Sequence, residues 1–538
     1  MIAAECPSVH AAFAASASRW PDRDLLMVLP ETAEVYGITA ENIQYRMVAK
    51  RVDTIAASLL AAGYGAGHRV MVLLENRPAF FIWFLALNKI GASIVPVNPD
   101  LRSTELNYMI GHAEPALAVS TPNRVDELSD AAQAAGVNMP VVTLDDVPPA
   151  PRDGAHLAQG NGLKAEAAML YTSGTTGQPK GCVLPNEYFL MAGRWYAEAG
   201  GLCALSADGE RMITPLPIFH MNAMAYSLMS MIAVGGCLTV LDRFHPRTWW
   251  QSVRDSGATC LHYLGVMPSM LMGLPESAQD KNHTVKFGFG AGVDPKLHVS
   301  FEERFGFPLV EAWAMTETGA GAVICANDLP RRVGESCLGK PGPELEVRIV
   351  DDAGQDTAGA PGELLVRHAG NDPKRGFFAE YYKNPEATAE AWAGGWFHTG
   401  DIVRQDTDGA MFFVDRKKNV IRRSGENIAA VEVESVLMRH PAIRHAAVAA
   451  VPDPVRGDEV FACLVVDAPT AALADEITRW CLTQLAYYKA PGYIAFVEEL
   501  PLTATQKIQR GQLKTMAAEL LGKPGTHDLR HLKKRNAA

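Results

Sequence analysis

The chain has no excess of positive charge: its 538 residues hold 49 lysines and arginines against 60 aspartates and glutamates, a net charge of −11 at pH 7. That balance argues against nucleic acid as a partner of the whole chain, while leaving room for a local basic patch that meets a phosphorylated cofactor. Cysteine is not organised either. The nine cysteines are scattered, with no CxxC pair and no regular spacing, which argues against a disulfide framework or metal cluster and for a reducing, cytoplasmic setting. The first twenty residues, MIAAECPSVHAAFAASASRW, have no basic residue before Arg19 and contain Glu5 and Pro7. That is a poor secretory signal, so export is not expected. The two most apolar runs, residues 79–87 and 226–241, stop at Asn88-Lys89 and break at Gly235-Gly236; both fall short of the ~20 residues a membrane span needs and read as core. No internal period is visible, so repeat architectures are set aside. The length predicts more than one domain, at roughly 100–200 residues each.

What is dense is hydroxyl, glycine and one lysine in YTSGTTGQPKG, residues 171–181. Gly174 and Gly177 permit positive φ and close backbone approach. Amide N–H groups can then converge on an anion, while Thr172, Ser173, Thr175 and Thr176 add hydroxyl donors and Lys180 adds charge. A Ser/Thr/Gly surface turn is the alternative. The apolar run Ala167-Ala168-Met169-Leu170, leading straight into the loop, favours phosphate binding. The Walker spacing G-x-x-x-x-G-K-[ST] is excluded, because Pro179 stands where its second glycine belongs. Residues 181–185 then read as a strand, and Asn186 is the N-cap expected for a helix through Tyr188, Met191 and Trp195.

Upstream, residues 41–62 read as helix and residues 70–74 and 93–97 as strands, an α/β alternation. Residues 145–162, rich in Pro, Gly and Asp, read as a surface connection. Downstream, the glycine-rich strand ends of residues 260–268 and 287–292 can bring backbone close to a ligand or simply pack tightly, and both readings stand. His220 follows a proline-framed turn, where a lone histidine is more often structural than catalytic. Residues 396–401, Trp-Phe-His-Thr-Gly-Asp, are expected to end in a Gly-Asp turn whose carboxylate can accept two ribose hydroxyls. Arg416, Lys417, Lys418, Arg422 and Arg423 form a charge run, either a solvated face or a domain boundary ahead of a helix from about Val431. The tail alternates strands at residues 446–451 and 460–466 with a helix at 475–485, an α+β pattern.

In order along the chain, TSGTTGQPKG, EAWAMTE, WFHTGD, VDRKKNVIRRSGENIAAVEVE and LPLTATQKIQR resemble the signature motifs of the adenylate-forming superfamily of acyl-CoA synthetases, peptide-synthetase adenylation domains and luciferases. Within it the chain looks most similar to carnitine/crotonobetaine-type CoA ligases. The resemblance implies an α/β fold: a large N-terminal domain of β-sheets flanked by helices, residues 1–416, and a small mobile α+β C-terminal domain, residues 417–538, turning about a hinge at Lys418. It implies ATP on Thr172, Ser173, Gly174, Thr175, Thr176 and Lys180, on the wall Gly290-Ala291-Gly292, and on Trp313, Asp401 and Arg416. Glu317 would hold Mg²⁺, Thr316 would donate to the α-phosphate, and Lys507 would meet the carboxylate and α-phosphate. CoA is expected past Gly425, with Arg422 and Arg423 near its phosphates.

The implied acyl pocket comprises His220, which can gate it, with Asn222, Ala223, Tyr226, Tyr263, Gly265 and Gly319. This is a somewhat polar, aromatic-lined site suited to a small or functionalised carboxylic acid. Four positions depart from the pattern: Trp313 for Tyr, Ala314 for Gly, Leu502 for a basic residue and Gln506 for Gly. The implied activity is ATP-dependent formation of an acyl-adenylate, then thioesterification to CoA with release of AMP. Competing readings are an aryl or hydroxycinnamate-type CoA ligase, an adenylate-only ligase loading a carrier protein, and a non-catalytic nucleotide-binding protein. The presence of Lys180, Glu317, Asp401 and Lys507 together speaks against the last. A homodimer is compatible with all of these.

Overall fold

The computed structural model describes residues 6–151, 162–172, 178–357, 359–416, 420–501 and 508–534. The chain divides into two compact units, one of residues 1–99, 113–170 and 181–415, the other of residues 100–112, 171–180 and 416–538.

A seven-stranded sheet runs in the order Glu380–Tyr381, Lys180–Pro185, Glu166–Thr172, Ser93–Pro96, Arg69–Leu73, Leu117–Ser120, Val141–Val142. Its inner strands Arg69–Leu73, Ser93–Pro96 and Leu117–Ser120 are parallel and buried on both faces, which is why they read as unbroken apolar runs. Helix Pro78–Lys89 is buried continuously from Phe80 to Asn88, so the first apolar run is core, as expected. The second run is core too: it becomes part of the π-helical Asn222–Leu228, helix Met229–Val234 and strand Cys237–Val240.

A thirteen-stranded sheet carries the candidate site. Arg211–Thr214, Cys260–Leu264, Phe287–Ala291 and Leu309–Trp313 pair in parallel. Beyond Leu309–Trp313 the pairing turns antiparallel through Ile324–Cys325 and Cys337–Pro341 to Met411–Arg416, and the sheet ends on Phe397–Gln405, Gly362–His368 and Leu345–Val350. The switch from parallel to antiparallel therefore falls beside Trp313.

Local expectations differ from the structure at four places. Residues 41–62 are not all helix: Asn42–Gln44 pairs antiparallel with Asp24–Met27, and the helix begins at Tyr45, because Ile43 and Tyr45 are both needed inside. Asn186 is not an N-cap. Pro185 caps helix Asn186–Glu198, and the Asn186 amide oxygen instead accepts from Val9 N and Asn88 Nδ2 at 3.1 and 2.7 Å. Val266, Met267 and Pro268, expected as the turn after a strand, open the helix Val266–Met272. Gly400-Asp401 is no strand-ending turn, since strand Phe397–Gln405 continues past it with a register shift there.

In the second unit, Val420–Arg423 and Glu426–Ala429 form a hairpin whose two-residue loop has Ser424 at φ 52° and Gly425 at φ 90°, as tight hairpin turns demand. Helix Ala430–Leu437, the long hairpin Ile443–Asp453 with Gly457–Val466, helix Ala471–Gln484 and strand Tyr493–Phe496 follow, and Ile421, Val433, Val448, Val460, Ile477 and Ile494 form their core. Arg510 at the start of helix Arg510–Leu520 donates to Glu434 at 2.7 Å. Among the described residues no helix is long and apolar enough to cross a membrane.

Candidate active site

Register places Tyr263 opposite Gly290 and Gly290 opposite Glu311 across three parallel strands. A Cβ on Gly290 would stand 2.2 Å from the Tyr263 carbonyl oxygen, and one on Gly265 would stand 1.6 Å from the Gly292 carbonyl oxygen. Close strand packing alone thus requires both glycines. The wall that remains open is Ala291, half-buried, and Gly292, exposed at φ 78°. Glu311 fixes it: the buried carboxylate accepts from Gly292 N at 2.9 Å, Val293 N at 3.0 Å and the Tyr263 hydroxyl at 2.9 Å. No role for Glu311 is legible from its motif. The available signal is a carboxylate inside the apolar strand Leu309–Trp313, which has to find donors there.

The indole Nε1 of Trp313 donates to Asp401 Oδ2 at 2.8 Å, and both residues are buried. Asp401 owes its aim to a bulge. Glu363 pairs with Ile402 but Leu365 with His398, so residues 399–401 carry the excess length, with Gly400 at φ 69°. Bulges beside functional sites re-aim side chains in this way. Thr399 locks it, its hydroxyl donating to the Leu364 carbonyl at 2.7 Å and accepting from Asp401 N at 3.0 Å.

Thr316 and Glu317 lie on a turn after strand Leu309–Trp313. The Tyr188 hydroxyl donates to the Thr316 carbonyl at 2.9 Å, and the Tyr381 hydroxyl donates to Glu317 Oε1 at 3.0 Å. Burial, then the Glu317 charge, raises the Tyr381 phenol, so it remains a donor to that carboxylate. Gly319, at φ 49°, lies against the Tyr188 ring, where a Cβ would come within 2.3 Å. Tyr188 stands in no recognised motif, and Tyr381 stands in FFAEYYKNPEAT, a stretch resembling carnitine/crotonobetaine-type ligases that assigns it no role; only the fold brings both to the turn.

In the expected acyl pocket, His220 is half-buried with its ring 4.6 Å from Phe219. Ala223, Tyr226, Tyr263 and Gly319 are buried. The Tyr226 hydroxyl donates to the Gly319 carbonyl at 3.0 Å, and Tyr263 is held by Glu311. Asn222 Oδ1 lies 2.7 Å from Nδ1 of His262. These polar groups therefore bond to the protein itself, so the aromatic lining is less polar than the residue types imply. His262 is the group that sequence reasoning passed over. Its Nδ1–H serves Asn222, its Nε2 accepts from the Tyr196 hydroxyl at 3.1 Å, and burial pushes the imidazole down to about 3, keeping it neutral. Its neighbour Asn222 opens a π-helical turn, a form common at functional sites.

Ser173, Gly174, Thr175, Thr176, Lys418 and Lys507 lie outside the described residues, as does the Arg416 side chain. Thr172 ends strand Glu166–Thr172 and Lys180 opens strand Lys180–Pro185, the two stems of the loop expected to bind phosphate. In the second unit Gly425 lies on the hairpin loop and Arg422 is half-buried. Arg423 is 2% exposed and donates from Nε to Glu459 Oε2 at 2.8 Å. It is an internal ion-pair residue here, and a contact to CoA phosphate would require that pair to open.

With this geometry in hand, the family of AMP-binding enzymes matches residues 13–374, and the AMP-binding enzyme C-terminal domain matches residues 432–507. The chain belongs to the AMP-binding enzymes. Among members of this family, a sulfoacetate–CoA ligase of Cupriavidus necator is 30% identical over 517 residues, covering 94% of this chain and 97% of that protein. A crotonobetaine/carnitine–CoA ligase of Shigella flexneri is 30% identical over 498 residues, covering 89% and 95%. The fold matches o-succinylbenzoate CoA synthetase of Bacillus subtilis at a TM-score of 0.79 with 23% identity over 95% of this chain and 98% of that one. A malonyl-CoA ligase in ternary product complex matches at a TM-score of 0.73 with 26% identity, over 89% and 97%. The expected fold class and the likeness to carnitine-type ligases hold.

Proposed function

We propose that this AMP-binding enzyme is an AMP-forming acid–CoA ligase. In the first half-reaction a carboxylate oxygen of the acid attacks the α-phosphorus of ATP. The bond to the bridging oxygen breaks and pyrophosphate leaves with its electron pair, giving the acyl-adenylate. In the second, the CoA sulfur attacks the acyl carbonyl, the thiol proton passes to solvent, and AMP leaves on its phosphate oxygen. The observation that carries this reading is the Trp313–Asp401 pair. A bulge aims this buried carboxylate, the Trp313 indole fixes its Oδ2, and a carboxylate's two oxygens accept several hydrogen bonds at once, as the two ribose hydroxyls of a nucleotide require.

Neither half-reaction needs a protein nucleophile; positioning and neutralisation of phosphate charge do the chemistry. Thr316 donates to the α-phosphate. Glu317 has one oxygen held by Tyr381 and fits Mg²⁺, which is commonly held by one or two carboxylates together with substrate phosphates. Among the described residues no group of three or more His, Cys, Asp or Glu could hold a metal alone, so the nucleotide would complete the coordination. When bound, the ion supplies neutralisation of the triphosphate. Lys180 and the hydroxyls of residues 172–176 cradle the outer phosphates, Arg416 meets the ribose, and Lys507 meets the carboxylate and α-phosphate. Turning at Lys418 then exchanges Lys507 for the Gly425 loop, past which the CoA thiol arrives.

The acid is small and functionalised. Sulfoacetate and crotonobetaine or carnitine, the acids named for relatives at 30% identity each, are small and carry a second charged group, of opposite sign in the two cases. His220 and Asn222 are the half-buried side chains of the expected set, and because the Asn222 amide is engaged by His262, His220 is the one proposed to touch it. AMP release measured with ATP, Mg²⁺ and CoA across short aliphatic, sulfonated, trimethylammonium-bearing, aryl and long-chain acids tests this. CoA-dependent turnover confined to the small functionalised acids is expected; a flat response defeats the small-pocket reading, and AMP release indifferent to CoA defeats the ligase.

A further inference from the structure

Helix Ser103–Ala113 makes contacts that the reaction described above does not use. Glu105, Tyr108, Met109 and His112 recur at helical spacing and share one face. The C-terminal half of that face grips both stems of the phosphate loop. The Tyr108 hydroxyl donates to the Pro179 carbonyl at 2.9 Å, on the exit stem. On the entry stem, His112 Nδ1 lies 2.8 Å from the Tyr171 hydroxyl, which also reaches the Met109 carbonyl at 3.4 Å.

The N-terminal half grips a stretch far along the chain. Glu105 Oε1 accepts from Lys489 Nζ at 2.6 Å, and Oε2 accepts from Ala486 N and Arg102 N, each at 2.9 Å. Lys489 donates a second bond to Glu432 Oε1 at 2.6 Å. The side chains of Lys489, Glu105 and Glu432 are 7, 9 and 9% exposed. Residues 100–112, 171–180 and 416–538 accordingly form one compact unit. Two carboxylates on one buried ammonium, with the leftover lone pairs met by backbone N–H groups, fix a geometry more than they add stability.

We propose that, before the turn at Lys418, helix 103–113 is a rigid coupler between the Lys489 stretch and the two stems of the phosphate loop at Tyr171 and Pro179, with Glu105 and Tyr108 as positioning residues for the ATP triphosphate. The proposal rests on the nucleotide-binding reading of this enzyme. A one-piece helix transmits because neither end can shift without displacing the other, so losing the Glu105 anchor loosens Pro179, held one turn on at Tyr108, and Tyr171, held at His112 about 10 Å along the helix at about 1.5 Å rise per residue.

Lys489→Met would strand two buried carboxylates, so the informative variants are Glu105→Gln and Tyr108→Phe in the full-length enzyme. Two readouts are taken: binding of a non-hydrolysable ATP analogue by calorimetry, and amide hydrogen exchange of the peptides spanning residues 166–172 and 178–185. Each variant is expected to bind the analogue about tenfold more weakly, the size of one lost hydrogen bond to a positioned group. Each should speed exchange in those two peptides while the melting temperature stays within a few degrees of the parent, and the double variant should bind no more weakly than either single by more than about threefold. Three outcomes overturn the coupler: unchanged affinity and exchange in Glu105→Gln, fully additive losses, or exchange raised evenly throughout the chain. If the parent itself does not bind the analogue, the nucleotide-binding reading fails, and the exchange data still decide whether Glu105 restrains the loop stems.

Discussion

Trp313 shows what one side chain changes at this site. The pattern the chain resembles has tyrosine there, whose role is stacking; the indole adds an N–H that ends on Asp401 at 2.8 Å. A hydrogen bond to a charged acceptor is worth about 1.5–3 kcal/mol. Trp313→Phe keeps an aromatic face and removes that donor. KM for ATP in ATP–pyrophosphate exchange should therefore rise about tenfold while kcat changes little. An unchanged KM would mean that Asp401 keeps its position without the indole. Both partners stand in recognisable motifs, yet nothing in the sequence pairs them, because they are 88 positions apart.

Among elements, His262 ties together strand Cys260–Leu264, the π-helical Asn222–Leu228 and helix Asn186–Glu198 through Asn222, Ser227 and Tyr196. Its imidazole falls from 6.5 to about 3 on burial. A base whose folded value is depressed is protonated preferentially in the unfolded chain, so the stability it permits is complete above pH 6.5 and drains away as pH falls toward 3. The slope is about 1.4 kcal/mol per pH unit for one proton. His10, lowered to about 4 by burial and then by Lys89, adds in the same direction. Urea midpoints taken between pH 7 and pH 5 should fall, and His262→Asn should flatten that limb by one proton; an identical limb in the variant would clear His262 of the effect. The two apolar runs and the α/β alternation were legible from composition and period, since burial on both faces leaves a continuous apolar signature. The Gly400-Asp401 bulge was not, because a glycine before an aspartate looks the same in a turn and in a bulged strand until the partner strand sets the register.

At the scale of the molecule, each unit has its own core, and the second adds a buried charge cluster: Glu459 bonded to Arg423 at 2.8 Å and to Lys533. Glu459→Gln takes the counter-ion from the buried Arg423 and from Lys533, whose ammonium burial and Arg423 already lower to about 7, a loss of about 3–5 kcal/mol. Calorimetry should show one of two transitions moving down while the other holds; a uniform shift would mean the units melt as one. The sequence by itself determined the family, the order of the motifs and the nucleotide chemistry. Phosphate, ribose and metal contacts need particular functional groups at short, local spacings, and such groups survive as words in the chain. Only the tertiary structure decided who holds those groups: Glu311 under the glycine wall, Tyr188 and Tyr381 at the Thr316-Glu317 turn, His262 behind the acyl pocket, and Glu105 facing Lys489. These partners come from distant stretches, where any residue able to complete a hydrogen bond suffices, so geometry selects them and the local sequence carries no mark of the choice.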